Sequence, residues 1–432
     1  VPGRSPADPA AFLRAGGGYD TPWTRDTAIN AWQAAAWLVP QVAADTMTMV
    51  CEPDGSRVVW DTQWWDQVIW VLGARELALV TGDRAWAERA YRVGVATLAR
   101  LDDRCLDRAT GLYRGPAVMA DGITGYPQGL HDPQRPGESF VLDHSATLRV
   151  HSLSTNALHV LALAALADLA EVTGCDPCPW RQRSARLAAL VRERFWQAAE
   201  GRFGYLLVDG VLSGEQEGLG LALALLSGTA TPDQALATVA GVQHAPRGLP
   251  ALWPPLTGHE LGRFGRHGAA LWPMVMGVWA QAVAATGDAA AFGLELDRLC
   301  SLFEGSGHNF FEVYHPVTGV PDGGWQAGRH WRSEPDQTWS ATTLIGTVLH
   351  GVAGLRPTPS GLQVQPCLPP GTGRVELLGV PWHGSHFNLV LRGAGTRIDA
   401  VIVDSKAAST TALVIADDVP RNVEVHCTQE RS

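Results

Sequence analysis

The stretch Leu79-Val80-Thr81-Gly82-Asp83-Arg84-Ala85 joins two segments, 62–80 and 84–101, in which apolar residues recur at helical spacing. Glycine ends a helix readily because it adopts the left-handed backbone conformation, and aspartate caps the start of the following helix. Thr173-Gly174 and Thr286-Gly287-Asp288 repeat this punctuation. The sequence therefore predicts a series of tight helical hairpins.

Helical periodicity dominates the chain as far as residue 352. The predicted helices are 26–38, 42–50 (the weakest), 62–80, 84–101, 154–173, 181–196, 218–226, 232–242, 268–285, 289–303 and 338–352. Helix, short turn, helix and then a longer loop rich in Gly, Pro and Trp is the rhythm of an (α/α)6 barrel. Such a barrel needs six hairpins, so the sixth pair is inferred.

The pattern changes near Arg356. Residues 356–361 (Arg-Pro-Thr-Pro-Ser-Gly) indicate a linker, and from Leu362 onward the apolar period falls to two. Short strands are expected at 374–380, 385–391 and 398–403. We therefore predict a mainly α fold, with an (α/α)6 toroid barrel over residues 1–355 and a small C-terminal antiparallel β domain over residues 356–432.

Composition excludes several classes of protein. The formal net charge is −10, and 46% of residues are hydrophobic against 18% charged, which argues against disorder, nucleic-acid binding and attraction to anionic membranes. No apolar run approaches the length of a membrane span, and 158–169 indicates a buried helix. A soluble protein is expected, with the cytoplasm slightly favoured as its location.

Cofactor and metal sites are not predicted. No P-loop, dinucleotide fingerprint, Ser-His-Asp elbow or zinc-ligand set is present. The seven cysteines are scattered, and the Cys175-x-x-Cys178 pair, with Pro177 inside it and Pro179 after it, indicates a turn rather than a metal site.

Tryptophan usage points to carbohydrate. The chain has 17 Trp and only 10 Phe, and a flat indole ring suits stacking against the C–H face of a pyranose. Any single Trp is still better explained by packing between helices. The long loops 49–61, 107–149, 243–267 and 305–338 would gather at one end of a barrel and form a pocket there.

Four loop segments combine carboxyl groups with aromatic residues or glycine. They are Trp23-Thr24-Arg25-Asp26, the 60–66 segment Trp-Asp-Thr-Gln-Trp-Trp-Asp, the 119–127 segment Met-Ala-Asp-Gly-Ile-Thr-Gly-Tyr-Pro and the 309–316 segment Asn-Phe-Phe-Glu-Val-Tyr-His-Pro. Glycoside hydrolysis needs two such carboxyl groups, one as a proton donor and one as a base or nucleophile.

These segments resemble the six-hairpin glycosidases, especially glycoside hydrolase families 63, 37 and 15. Residues 23–26 are similar to the glucoamylase segment whose Arg and Asp hold sugar hydroxyls. Residues 312–319 (Glu-Val-Tyr-His-Pro-Val-Thr-Gly) are similar to the family 63 segment that carries the general base, and 338–341 match the helix start that follows it. Residues 268–273 are like the Asn-Gly-x-x-Trp-Pro of the superfamily. Family 63 carries its acid after Gly-Trp, whereas Asp121 stands between Ala120 and Gly122.

The resemblance implies an inverting exo-glycosidase that acts on an α-linked glucoside or mannoside. Asp121 is the candidate acid, with Asp61 as its rival, and Glu312 is the candidate base, with Glu334 as its rival. The predicted sugar-binding residues are Trp23, Arg25, Asp26, Trp60, Asp61, Trp64, Tyr126, Trp272 and Trp325, and Trp331 is expected in the same cleft.

Each candidate also has a purely structural interpretation. Asp121 precedes glycine as in a common turn, Asp61 and Glu334 stand where they could cap helices, and Asp26 could be stabilised by a helix dipole. His267 is interpreted as a loop histidine rather than a catalyst.

Two other functions remain open at this point. An inverting phosphorylase would replace water by phosphate and would need donors such as His308, Arg329, His330 and Arg332 in the 305–338 loop. A non-catalytic carbohydrate-binding barrel would keep the tryptophans but would not place two carboxyl groups within catalytic distance.

Overall fold

The computed structural model describes residues 2–5, 8–256, 258–408, 413–415 and 420–428. Its helices are α1 (α-helix Thr24–Asn30, π-helical turn Ala31–Ala35 and α-helix Ala36–Leu38), α2 (Pro40–Met49), α3 (3₁₀ turn Trp64–Ile69 and α-helix Trp70–Thr81), α4 (Arg84–Arg104), α5 (Leu153–Thr173), α6 (Cys178–Phe195), α7 (Gly218–Leu226), α8 (Pro232–Gly241), α9 (Pro273–Ala285), α10 (Ala289–Gly305) and α11 (α-helix Thr338–Gly346 and π-helical turn Thr347–Val352). Four short 3₁₀ turns lie between α4 and α5, at Ile123–Gly125, Gln128–Leu130, Val141–Asp143 and Ser145–Arg149.

The odd-numbered helices form a closed ring. Each of α1, α3, α5, α7 and α9 packs against the next, and α11 packs against α1. The hydrogen bond from Thr342 Oγ1 to Asn30 Oδ1, 2.7 Å long, joins the two ends of this ring. The inner helix α9 is buried on nearly all sides, whereas the outer helix α4 buries only one face, as its amphipathic sequence dictates.

The mainly α barrel with a C-terminal β region is confirmed, but the inferred sixth hairpin is incomplete. Six inner and five outer helices lie within the described residues, and after α11 the chain enters a strand at Leu355. A long strand pair from the C-terminal region packs against α10 and against the final turns of α1 and α3.

Helix boundaries follow local chemistry. Gly82, Gly174 and Gly287 adopt positive φ angles of 68°, 81° and 86°, as the predicted hairpin punctuation requires. Helix α9 begins five residues later than predicted because Pro273 occupies its first turn, where the missing N–H costs nothing. Helix α5 is long and apolar enough to cross a bilayer. However, 83% of its apolar 18-residue stretch is buried inside the protein, as expected of a core helix.

Strands are short within the barrel and long after it. They are β1 (Pro2–Ser5), β2 (Asp8–Leu13), β3 (His151–Ser152), β4 (Trp196–Gln197), β5 (Arg202–Phe203), β6 (Leu206–Val208), β7 (Val211–Leu212), β8 (Gln216–Glu217), β9 (Leu252–Trp253), β10 (Trp325–Gln326), β11 (Arg329–His330), β12 (Leu355–Thr358), β13 (Gly361–Val364), β14 (Leu368–Trp382), β15 (Ser385–Gly395), β16 (Arg397–Val403), β17 (Lys406–Ala407), β18 (Leu413–Ile415) and β19 (Asn422–Thr428).

The C-terminal strands form two sheets. One is the three-stranded antiparallel sheet β12-β13-β18, and the other has the order β14-β15-β19-β16-β17. The second sheet is antiparallel except for β15 and β19, which pair in parallel. The predicted linker at 356–361 is wrong, because β12 and β13 form a hairpin there. Pro357 is tolerated because β12 lies at the edge of its sheet.

The C-terminal region packs directly on the turn between α3 and α4 and on the end of α1. The backbone N–H of His383 donates to Val80 O over 3.0 Å, and Trp382 stacks on Trp37 with a centroid distance of 6.5 Å. Apolar residues of both regions share one core. The division into 1–355 and 356–432 remains our proposal, and its boundary falls at the beginning of β12.

Candidate active site

A cavity of about 440 Å³ lies at the end of the ring where the inner helices begin. Arg25 and Asp26 in the first turn of α1, Gln63 before α3, Trp272 before α9 and Trp339 in α11 all line it. The long loops supply the rest of the wall. Because helix N-termini carry partial positive charge, this end of the ring favours anionic side chains.

Asp121, in the loop between α4 and α5, forms one wall of the cavity. Its Oδ2 accepts hydrogen bonds from Gln63 Nε2 (2.7 Å) and Arg25 Nη2 (3.1 Å). Its Oδ1 lies 2.8 Å from His267 Nε2. Burial alone would raise the pKa of Asp121, but His267 and then Arg25 outweigh it, so the pKa lies well below its usual range.

Gly122 permits this arrangement. A Cβ atom at this position would lie 2.2 Å from both Gln326 Oε1 and His267 Nδ1. Because glycine has no Cβ, these two side chains can approach its backbone closely.

Glu312, in the loop between α10 and α11, forms a second wall. It is 6% exposed; its Oε2 pairs with the Arg266 guanidinium, and its Oε1 accepts a 3.1 Å hydrogen bond from the Tyr19 hydroxyl. Burial and the Glu312 charge raise the pKa of Tyr19, so the phenol stays a donor. The guanidinium also lies over the rings of Trp272 and Trp331, 5.2 and 5.8 Å from their centroids.

A third carboxyl group, Asp26, also lines the cavity. Burial raises its pKa to about 7; Arg25 opposes this rise, while the charges of Glu312 and Asp121 add to it. The Arg25 guanidinium itself donates to Val118 O (2.6 Å) as well as to Asp121. Arg25 thus holds the loop that carries Asp121, and a role in binding sugar hydroxyls stays a prediction.

The structure brings together only part of the predicted set. The predicted residues that line the cavity are Trp23, Arg25, Asp26, Asp121, Trp272, Glu312 and Trp331. Those that do not line it are Trp60, Asp61, Trp64, Tyr126, Trp325 and Glu334.

Two of the three tryptophans of the 60–66 segment, Trp60 and Trp64, are held elsewhere. Trp60 stacks on Trp64 with a centroid distance of 6.0 Å. The guanidinium groups of Arg100 and Arg104 lie over Trp60, 4.8 and 4.7 Å from its centroid. These cations belong to α4, far along the chain, and they hold the ring outside the cavity.

The two rival carboxyl groups lie away from the cavity wall. Asp61 accepts from the Gln63 backbone N–H (2.8 Å) and from Thr24 Oγ1 (3.1 Å), so it closes a turn just before α3. The Glu334 carboxylate lies against Gly18, where an added Cβ would come within 2.7 Å of Oε2. Neither group faces the cavity.

The remaining two aromatic residues support the site from outside. The Tyr126 hydroxyl donates to Ala120 O over 2.7 Å and accepts from the backbone N–H of Ala117 over 2.9 Å, which fixes the Asp121 loop. Trp325 lies beneath the guanidinium of Arg263, 4.3 Å from its centroid.

Several lining residues were missed from the sequence. They are Tyr19, Gln63, Arg266, His267 and Gln326. Their one available signal is position, because Arg266 and His267 directly precede the Gly-Ala-Ala-Leu-Trp-Pro segment. Gln63 lies within the 60–66 segment quoted above, whereas the sequence around Tyr19 and Gln326 has no distinguishing pattern.

Comparison with known proteins agrees with this geometry. The mannosylglycerate hydrolase MGH1-like glycoside hydrolase domain matches residues 19–340. No protein of curated function matches the sequence.

Solved structures share the fold. A protein described as a sialidase has a TM-score of 0.71 at 15% identity; the match covers 96% of this chain, which spans 39% of that protein's length. The GH63 mannosylglycerate hydrolase from Thermus thermophilus, in complex with Tris and D-glycerate, has a TM-score of 0.59 at 18% identity and is covered over 96% of its length by 78% of this chain. Neutral trehalase Nth1 from Saccharomyces cerevisiae has a TM-score of 0.57 at 13% identity, with coverage of 80% of this chain and 75% of that protein.

Proposed function

This chain belongs to the mannosylglycerate hydrolase MGH1-like glycoside hydrolase family, and we propose that it is an inverting exo-glycosidase acting on an α-linked glucoside or mannoside. In this proposal Glu312 is the general base that activates water. Asp121 is the general acid that protonates the leaving oxygen.

The observation that carries the proposal is the presence of both carboxyl groups in one cavity, on two different loops and with separate cationic partners. Arg25 and His267 bind Asp121, whereas Arg266 binds Glu312. Two carboxyl groups in unlike surroundings can take the two unlike roles of acid and base.

The cavity supports a short saccharide as the substrate. Its volume of about 440 Å³ lies in the lower part of the range for small-molecule sites, ~300–1,000 Å³. Trp23 and Trp331 are each partly exposed at its wall and offer apolar faces to a sugar ring. A mannosylglycerate hydrolase and a trehalase share the fold at 18% and 13% identity. Because these two enzymes are named for different substrates, the fold does not identify the sugar, and the choice of a glucoside or mannoside is part of our proposal.

The phosphorylase alternative finds little support in the geometry. None of its four expected phosphate donors, His308, Arg329, His330 and Arg332, lines the cavity, and all four are exposed. His330 pairs with Asp322 at 2.8 Å instead. The two arginines of the cavity wall already have carboxylate partners.

The test uses aryl α-glucosides and α-mannosides, with the product anomer followed by NMR. Inversion should release the β-anomer first, and the carboxyl groups of Asp121 and Glu312 should then stand ~6.5–9.5 Å apart. Asp121→Asn should lower kcat ~10²–10⁴-fold on substrates with poor leaving groups and much less on those with good ones.

Three results would contradict the proposal. Release of the α-anomer would show retention and overturn the inverting mechanism. Normal turnover by Glu312→Gln with none by Glu334→Gln would move the base to Glu334. Turnover that requires inorganic phosphate would establish the phosphorylase.

A further inference from the structure

Two side chains behind Asp121, those of His267 and Gln326, form a hydrogen-bonded chain of fixed direction that ends at the backbone carbonyl of Ser139. Gln326 Nε2 donates to Ser139 O over 3.3 Å. This bond turns Gln326 Oε1 towards His267 Nδ1, 3.0 Å away. An amide oxygen only accepts, so Nδ1 of His267 must carry a hydrogen atom.

The contact of the other ring nitrogen, His267 Nε2, then determines where the proton of the candidate acid Asp121 can lie. His267 Nε2 faces Asp121 Oδ1 at 2.8 Å. Either Nε2 is protonated and donates to a carboxylate, or Oδ1 is protonated and donates to a neutral imidazole. Asp121 Oδ2 already accepts hydrogen bonds from Arg25 and Gln63. Both partners are donors, so a proton on Oδ2 would have no acceptor there. The proton that Asp121 needs as an acid can therefore sit only on Oδ1.

On the basis of the proposed hydrolase reaction, we propose that His267 is the proton partner of Asp121, and that the two groups hold one proton between them, which the leaving group takes. The proton passes from Nε2 to Oδ1 and from there to the glycosidic oxygen as the bond from that oxygen to the anomeric carbon breaks. Water forms the new bond to that carbon and gives its own proton to Glu312. His267 is left neutral with its hydrogen on Nδ1, and the proton on Glu312 returns to the pair through solvent.

This arrangement resolves a conflict within the site. The pKa of Asp121 lies below its usual range, whereas a general acid must hold a proton near neutral pH. A coupled pair titrates as a unit, and its last proton leaves at the higher of two macroscopic pKa values.

Other charged groups lie near the pair. Arg25 contacts Asp121 and also pairs with Asp66 at 3.4 Å, and the charge of Asp121 raises the pKa of Asp26. On the other side, His267 and Glu217 both line a small void of about 10 Å³ beneath the loop. Burial raises the pKa of Glu217 to about 7.

The first experiment compares His267→Gln with His259→Gln, a histidine of the same loop that does not line the cavity. The pH dependence of kcat/KM is measured on a 4-methoxyphenyl and a 2,4-dinitrophenyl glycoside. His267→Gln should shift the basic limb down by about one pH unit or more on the poor leaving group. The loss on the 2,4-dinitrophenyl glycoside should be much smaller, because that leaving group needs little protonation. An unchanged profile, or equal losses on both substrates, would overturn the proposal.

The second experiment needs no substrate. ¹⁵N NMR of His267 in the free protein should show that the neutral imidazole carries its hydrogen atom on Nδ1, which faces Gln326 Oε1, and that Nε2, which faces Asp121, carries none. A neutral tautomer that carries its hydrogen on Nε2 would overturn the pair.

The two proposals fail separately. If wild type hydrolyses no glycoside while the NMR result holds, the proposed function fails and the shared proton stands. If Asp121→Asn behaves as expected while His267→Gln keeps the wild-type profile, the hydrolase stands and the partner role of His267 fails.

Discussion

Two cavities lie at opposite ends of the same helical ring. The first, of about 440 Å³, is where the inner helices begin, and the second, of about 260 Å³, is where they end. Carboxyl groups of Asp26, Asp121 and Glu312 line the first. The second contains Arg75 and His350 beside its carboxyl groups. Cations also line the first cavity, where Arg25, Arg266 and His267 pair with Asp121 and Glu312, so the two cavities do not differ in the sign of their charges.

The comparison shows that charge and volume alone do not define a site. In the second cavity Arg75 joins α3 to α5 through Asp168 at 2.6 Å and donates to Pro357 O at 2.8 Å. These bonds tie elements of the fold together. In the first cavity the carboxyl groups are held by loop residues and by the first turn of α1, and they still line the space where a ligand would sit.

The strongest test of this contrast replaces one carboxylate from each cavity. Glu312→Gln should lower kcat ~10²–10⁴-fold, because water loses its base. It should stay slow on substrates with good leaving groups, and added azide should restore part of the turnover. Steady-state kinetics of Asp168→Asn provides the control, and a comparable loss in that variant would remove the distinction between the cavities.

The second test concerns the pH dependence of stability at Asp26. Its pKa is about 7 in the folded protein, against ~3.9 in an unfolded chain. The folded state therefore binds this proton more tightly than the unfolded chain does. The contribution of protonated Asp26 to the free energy of unfolding is complete below pH ~4 and is lost as the pH rises to about 7. Asp26→Asn should gain stability relative to wild type between about pH 4.5 and pH 8, by up to about 4 kcal/mol at 1.36 kcal/mol per pKa unit.

Urea unfolding across this pH range measures the effect. Glu217→Gln should show the same trend, because burial raises the pKa of Glu217 to about 7 as well. Parallel curves for wild type and Asp26→Asn would contradict the raised pKa of Asp26.

The third test separates a tryptophan at the first cavity from one outside it. Trp331 is 41% exposed at the cavity wall, so Trp331→Ala should raise KM by ~2–10-fold through the loss of ~0.5–1.5 kcal/mol of stacking. Trp60→Phe should leave KM unchanged, because Trp60 does not line the cavity. A larger effect at Trp60 would return it to the sugar-binding set.

The smallest effect is expected at the ion pair of the second cavity. The side chains of Arg75 and Asp168 are 22% and 24% exposed, and partly exposed pairs contribute ~0–1 kcal/mol. Asp168→Asn should therefore lower the free energy of unfolding by no more than about 1 kcal/mol. Urea unfolding checks this, and a loss of several kcal/mol would mean that the pair holds the barrel together.

Local chemistry explains what could be predicted from the sequence. Gly82 and its counterparts terminate helices because glycine tolerates positive φ, and that requirement is visible in a few residues. The ring and the β region followed from such signals together with a change of apolar period. Among the residues that the structure describes there is no sixth outer helix. This could not be foreseen, because the rhythm of hairpins does not reveal where it stops.

The site was harder to predict because its contacts are non-local. The site joins distant parts of the chain, because Asp121, His267 and Gln326 come from three separate segments. Asp121 and His267, which contact each other, are 146 residues apart in the sequence. The aromatic composition indicated that tryptophan rings could stack on a sugar, but not which rings face the cavity. Trp60, for example, is held outside the cavity by Arg100 and Arg104 of α4. The catalytic roles of Asp121 and Glu312 remain predictions, which the proposed kinetics would test.

The seam where α11 meets α1 has a consequence for how this chain folds. Its hydrogen bond joins residues 312 positions apart, and both helices also supply cavity residues, Arg25 and Trp339. Contacts of such sequence separation form slowly, because a long loop must close before they contribute stability. During synthesis, α1 must therefore wait for the last inner helix, and the cavity can be completed only after nearly the whole barrel has left the ribosome.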